Sequence, residues 1–80
     1  MEGRIPPHNL EAEQSVLGAI LLDSDVLDEL EGLLPSPEAF YAEAHRKIYA
    51  AMQTLRSQGK PVDLVTLAEE LSRRGELEAL

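Results

Sequence analysis

What most constrains this chain is where it cannot remain helical. Pro35-Ser36-Pro37 and Gly59-Lys60-Pro61 interrupt a sequence otherwise rich in leucine and alanine. Proline within a helix removes a backbone donor and clashes with the preceding turn. Asp23-Ser24-Asp25 adds a third interruption made of capping residues. Between these breaks, apolar residues recur every three or four positions, the period of amphipathic helices that must pack on one another. Fourteen Leu and nine Ala stand against nine Val, Ile and Thr combined, which favours helix over strand. The expected fold is all-α, a compact orthogonal bundle of about four to five short helices.

The breaks assign the segments. Residues 1–8 read as a flexible arm, because Pro6-Pro7 disfavours helix just upstream, and residues 9–80 read as the helical domain. Asn9 is the expected N-cap of a first helix, with Glu11 and Glu13 in its first turn, where negative charge suits the helix dipole. Its buried stripe would be Leu10, Val16, Leu17, Ile20 and Leu21, ending around Asp23. A second helix would bury Val26, Leu27, Leu30 and Leu33 before Pro35 stops it. Ser36 is the next cap, with proline at the first helical position. "PEAFY" fits a separate turn, and the main helix would start near Ala42 or Glu43. His45, Ile48, Tyr49, Met52 and Leu55 share one face of it, and Gly59 closes it. The last full helix opens at the cap Asp63, with Val62 and Leu67 spaced as a hydrophobic staple. Leu64, Leu67, Ala68 and Leu71 would face inward and Gly75 would end it. "ELEAL" then begins a further apolar pattern, which reads as the start of a helix in a trimmed fragment.

Charge and composition exclude several functions. Cysteine is absent, so disulfides and thiolate metal sites are ruled out. No apolar run is long enough to cross a bilayer, and the N-terminus lacks the apolar stretch of a signal peptide, so the expected location is the cytoplasm. Net charge is −8, which repels the phosphates that a duplex binder must neutralise. Direct nucleic-acid binding is therefore not expected. Arg46-Lys47 and Arg73-Arg74 read as solvated pairs, and so do the acids Glu69-Glu70. There is no Gly-rich phosphate loop, nucleophile elbow or H-E-x-x-H pair, and the expectation is no catalytic, cofactor or metal residue. "DLVTLAEELSRRGEL" has the look of the first half of a helix-turn-helix. A DNA reader would follow it with a helix bearing Arg, Lys, Asn or Gln, but Glu76 to Leu80 are acidic and apolar.

Two polar residues and one glycine break the apolar stripes. On a helical wheel Glu13 falls between Leu17 and Ile20, and His45 between Tyr49 and Ile48. Buried polar groups are costly unless bonded. The economical arrangement is that Glu13 and His45 bond each other across a helix–helix interface; partial exposure at the helix ends is the alternative. Gly18 costs about 1 kcal/mol relative to Ala inside a helix. It would mark a close approach of another backbone, expected from within this domain rather than from a second subunit.

Several blocks together carry a family resemblance: "PPH", "EAEQSVLG", "FY" followed by "HRKIY", "PVDLVTLAEEL" and "RGELE". In this order and spacing, from about Ile5 to Leu77, the chain resembles the N-terminal domain of the DnaB family of bacterial replicative DNA helicases. The resemblance implies a compact all-α domain in the N-terminal collar of a ring-shaped homohexamer. It implies assembly of the ring and communication with the DnaG primase and, in some members, the helicase loader. In that family the motor, with its ATP and magnesium, is a separate C-terminal RecA-like domain, and nothing here matches its Walker site. Past "GELE" the family continues with further helix and then a helical hairpin that pairs subunits. The chain stops at Leu80, so dimerisation and strong primase binding are in doubt for it. An apolar strip around Leu64, Leu77 and Leu80 is then expected to lie exposed. The helicase-binding domain of primase, similar in fold, is a second candidate, but "PPHNLEAEQSVLG" argues against it.

Overall fold

A computed structural model describes residues 9–79. The expected arm, residues 1–8, and Leu80 lie outside the described residues. The order is α1 (Leu10–Leu22), α2 (Asp25–Leu33), a 3₁₀ turn (Pro37–Ala39), α3 (Glu43–Ser57), α4 (Leu64–Arg73) and a second 3₁₀ turn (Leu77–Ala79). Among the described residues there is no strand, and no helix is long and apolar enough to cross a membrane.

The boundaries follow local chemistry. Asn9 Oδ1 accepts the Ala12 N–H at 3.0 Å, one of the donors that a helix start leaves unpaired. Asp23 Oδ1 accepts the Asp25 N–H at 3.1 Å and opens α2. Ser36 Oγ accepts the Glu38 N–H at 3.2 Å beside Pro37. Asp63 and Thr66 form a reciprocal capping box at the head of α4. Both long helices that end in glycine do so the same way. Gly59 and Gly75 adopt φ of 72° and 73°, a left-handed conformation open to glycine without a Cβ penalty. The next amides then fold back, Lys60 to the Leu55 carbonyl and Glu76 to that of Leu71, as in a Schellman motif.

Tyr49, Ile20, Leu27 and Met52 are fully enclosed, so the core lies where α1, α2 and α3 meet. Phe40 packs on Tyr49 with ring centroids 4.9 Å apart. Leu67 and Leu71 bring α4 onto the same core, and Val62 is buried just ahead of its cap.

Three leucines expected inside are outside. Leu10 is exposed because the first turn of α1 lies alongside residues 41 and 42 rather than over the leucine-rich core. Leu33 is 78% exposed, and its neighbour Leu34 packs on the core instead. A four-residue step from Leu30 continues the α2 face better than a three-residue step does. Leu64 is 71% exposed, against its place on the Leu67–Leu71 face but in line with the exposed apolar strip expected around it, while Val62, just ahead of the cap, is buried.

Candidate functional site

The structure brings Glu13 and His45 together. Glu13 lies in the first turns of α1 and His45 in the first turn of α3, with Glu13 Oε1 and His45 Nδ1 2.7 Å apart. An ionised carboxylate only accepts, so Nδ1 carries the proton and donates. The same carboxylate accepts the Tyr41 N–H at 2.7 Å and the Ala42 N–H at a longer 3.4 Å. Ala42 is the N-cap of α3 and has no side-chain oxygen to serve it. Glu13 therefore supplies, from another helix, the side-chain acceptor that this N-terminus lacks, and adds to the negative charge of Glu43 in its first turn. Burial pushes the Glu13 carboxyl up, but the Tyr41 amide, His45 and the Ala42 amide together hold it below its ordinary value. Phe40 meets the His45 ring edge-on at 6.4 Å.

A second cluster joins α4 to α3 and corrects the reading of Glu70 and Arg74 as solvated, while Glu69 and Arg73 are exposed as that reading has them. Glu70 is only 3% exposed. Arg73 Nη2 donates to both of its carboxylate oxygens at 2.7 Å, and Arg74 Nε donates to Oε2 at 2.8 Å. Arg74 continues to α3, where Nη2 donates to Thr54 Oγ1 at 2.5 Å. Arg73 and then Arg74 hold the Glu70 carboxyl below its ordinary range, against the opposing effect of desolvation. Glutamate followed by arginines three and four positions on is the spacing of a helix-surface ion pair. That signal is present in "ELSRR", although the reach to Thr54 is not.

Arg46 and Arg56 are also committed to the fold, and Lys47 makes a surface pair. Arg46 Nη1 donates to the carbonyls of Phe40 and Tyr41 at 2.9 and 2.8 Å, which corrects its reading as a solvated charge. Lys47 faces Glu43 at 3.6 Å one turn away. Arg56, not singled out by the sequence reading, clasps Asp28 through Nε at 3.1 Å and Nη2 at 2.6 Å, and reaches Asp25 at 3.3 Å. The Asp28 carboxyl is held low by that hydrogen bond.

Among the described residues Gly18 does not mark a close approach. A Cβ built there meets nothing within 4 Å, so the backbone neighbour expected inside the domain is absent. Large apolar side chains do stand at the surface: Leu22 is 91% exposed, and at the head of α4 Val65, 67% exposed, adjoins Leu64. Leu77 is exposed beyond Gly75. No group of three or more metal-ligating side chains gathers among the described residues. After α4 and its glycine turn comes a 3₁₀ turn, Leu77–Ala79, where a helix-turn-helix would place its recognition helix.

Residues 5–80 match the family model described as the DnaB-like helicase N terminal domain. The chain is 48% identical over 77 residues to the replicative DNA helicase DnaB of Geobacillus stearothermophilus, covering 96% of this chain and 17% of that protein. It is 44% identical over 77 residues to the replicative DNA helicase DnaB of Buchnera aphidicola subsp. Schizaphis graminum, covering 96% of this chain and 16% of that protein. The crystal structure of the N-terminal domain of DnaB helicase from Mycobacterium tuberculosis superposes with a TM-score of 0.89 at 45% identity. That match covers 94% of this chain and 51% of the solved one. The chain thus spans about a sixth of the length of these two helicases. It belongs to the DnaB-like helicase N-terminal domain family.

Proposed function

We propose that this chain is a non-catalytic assembly and interaction domain of a replicative DNA helicase, acting in DNA replication in the bacterial cytoplasm. It contributes to the N-terminal collar of a hexameric ring and to communication with the DnaG primase and, where one is used, the helicase loader. The observation that carries this reading is family membership over residues 5–80. The disposition of charged and apolar side chains is compatible with it. The charged side chains of Glu13, Arg46, Arg56, Glu70 and Arg74 are turned to internal contacts, while Leu22, Leu33, Leu64 and Val65 are presented outward. ATP and magnesium belong to the motor in the C-terminal part of the helicase. The residues of this chain do not fit such a group, having no phosphate loop and, among those described, no ligand cluster. The net charge of −8 supports binding to proteins rather than to the nucleic acid itself.

The test is an amide NMR titration of the chain with the C-terminal domain of the primase from the same source. A contiguous subset of shifting resonances supports the reading and identifies the partner-facing residues. Dispersed resonances that do not move at saturating primase domain remove primase contact from this chain.

A further inference from the structure

Arg46, Lys47, Arg56, Arg73 and Arg74 each hold a partner inside the chain. Among the described residues, Lys60 is the cation whose side chain has none. Its backbone is nonetheless fixed. The Lys60 N–H donates to the Leu55 carbonyl at 2.9 Å in the glycine turn that ends α3, and Pro61 restrains the chain after it. Lys60 lines a cleft of about 160 Å³ between the end of α3 and α4, together with Leu55, Thr66, Glu69, Glu70 and Arg73. On the α4 wall the Arg73 guanidinium is ordered from behind. Its Nη2 donates to both oxygens of the enclosed Glu70, while its Nε and Nη1 have no acceptor among the described residues. Glu70 is thereby already neutralised, by Arg73 and by Arg74. Val65, 67% exposed, stands one turn before Glu69 on the same side of α4.

We infer that this cleft receives one acidic side chain of a partner protein, held between Lys60 and Arg73, with an apolar neighbour of that acid seated on Val65. The inference rests on the reading of the chain as a protein-interaction domain and adds to it a site and the chemistry the site takes. Charge favours a carboxylate. Lys60, Arg73 and Arg74 outnumber Glu69 and Glu70 around the cleft, in a chain whose net charge of −8 repels acids elsewhere. Preorganisation favours it as well. Glu70 holds the guanidinium in place before anything binds, so little side-chain freedom is lost, and the N–H groups left open suit a planar carboxylate. Size sets the limit. The volume falls below the roughly 300 Å³ at which small-molecule pockets begin, and it fits a single side chain. Glu69, exposed beside the cations and without a partner among the described residues, repels a second negative charge. That favours one carboxylate over a run of phosphates.

Amide NMR of the 80-residue chain, titrated with the capped peptide acetyl-Leu-Glu-Leu-amide and with its glutamine counterpart, tests the site. The glutamate peptide is expected to shift the Lys60, Thr66 and Arg73 amides saturably in the millimolar range. The glutamine peptide is expected to bind about threefold more weakly, the scale of an exposed ion pair. Lys60→Gln should weaken the glutamate peptide by about the same factor and leave the spectrum of the fold unchanged, since its ammonium has no internal partner to lose. Glu69→Gln should tighten it by about twofold. Equal affinity for the two peptides, no saturable shift at these amides, or unchanged affinity in Lys60→Gln overturns the carboxylate site. Inorganic phosphate that saturates the same amides more tightly than the glutamate peptide overturns a protein side chain as the occupant. The peptide titration contains no primase, so its failure leaves the proposed primase contact standing, and failure of that contact leaves the cleft standing.

Discussion

Arg74 spans two helices. Its Nε donates to Glu70 one turn back on α4, while Nη2 donates to Thr54 on α3, at 2.8 and 2.5 Å. Arg73 binds the same carboxylate but has a far more exposed side chain and, among the described residues, makes no hydrogen bond to α3. The two arginines are therefore unequal. Arg74→Ala is expected to lower the melting temperature by several degrees and Arg73→Ala by clearly less, since an exposed pair contributes little. Arg74→Lys should fall between, because an ammonium cannot fork to both partners. Thermal melts followed by circular dichroism measure the order, and equal losses would contradict it.

The carboxylates give stability a defined acid limb. Glu13, Asp28 and Glu70 all titrate below their ordinary values in the folded chain. A depressed folded pKa contributes stability that is fully present above the unfolded value and is lost as pH falls through the folded one. The contribution of these groups to the melting temperature should therefore be full and constant between neutral pH and about pH 5, then be lost as pH falls below about 4. Glu70→Gln should flatten that acid limb more than Asp28→Asn, because Asp28 is solvent-screened and Glu70 is enclosed. Melts recorded from pH 7 downward test both parts.

The glycines should diverge in sign. A Cβ at Gly18 meets nothing within 4 Å, so Gly18→Ala should stabilise the isolated chain by up to ~1 kcal/mol through helix propensity. Gly75 sits at a φ of 73°, and Gly75→Ala should destabilise it. Urea unfolding gives both values. A Gly18→Ala variant that is less stable would restore the close approach the structure lacks.

The exposed leucines should be expendable to folding. Leu33→Ser is expected within about 0.5 kcal/mol of the parent, as is usual for surface changes. Leu27→Ala, at a fully enclosed position, should cost ~2–5 kcal/mol. Comparable losses at the two sites would mean that Leu33 is covered in solution, which analytical ultracentrifugation of the parent chain would reveal as self-association.

The legible and illegible parts of this molecule separate by range. Pro37, Gly59, Asp63 and Gly75 act on backbone within three or four residues, so helix boundaries can be read directly from sequence. Leu33 and Leu64 each lie at a helix end, where a correct period still does not tell which turn is covered. Glu13 and His45 stand out as polar residues on apolar stripes, but the amides of Tyr41 and Ala42 that share the carboxylate have no sequence signature. Arg56 meets Asp28 across 28 positions, a pairing that only the packing of α2 on α3 creates.

Glu13 and His45, an acid and a histidine on two apolar stripes, answer each other and serve the fold. A double-mutant cycle with Glu13→Gln and His45→Gln, read by urea unfolding at neutral pH, tests it most directly. The predicted result is a coupling energy of about 1 kcal/mol, within the range for contacting polar pairs. Additive losses with no coupling would contradict the claim and leave the 2.7 Å contact without energetic consequence.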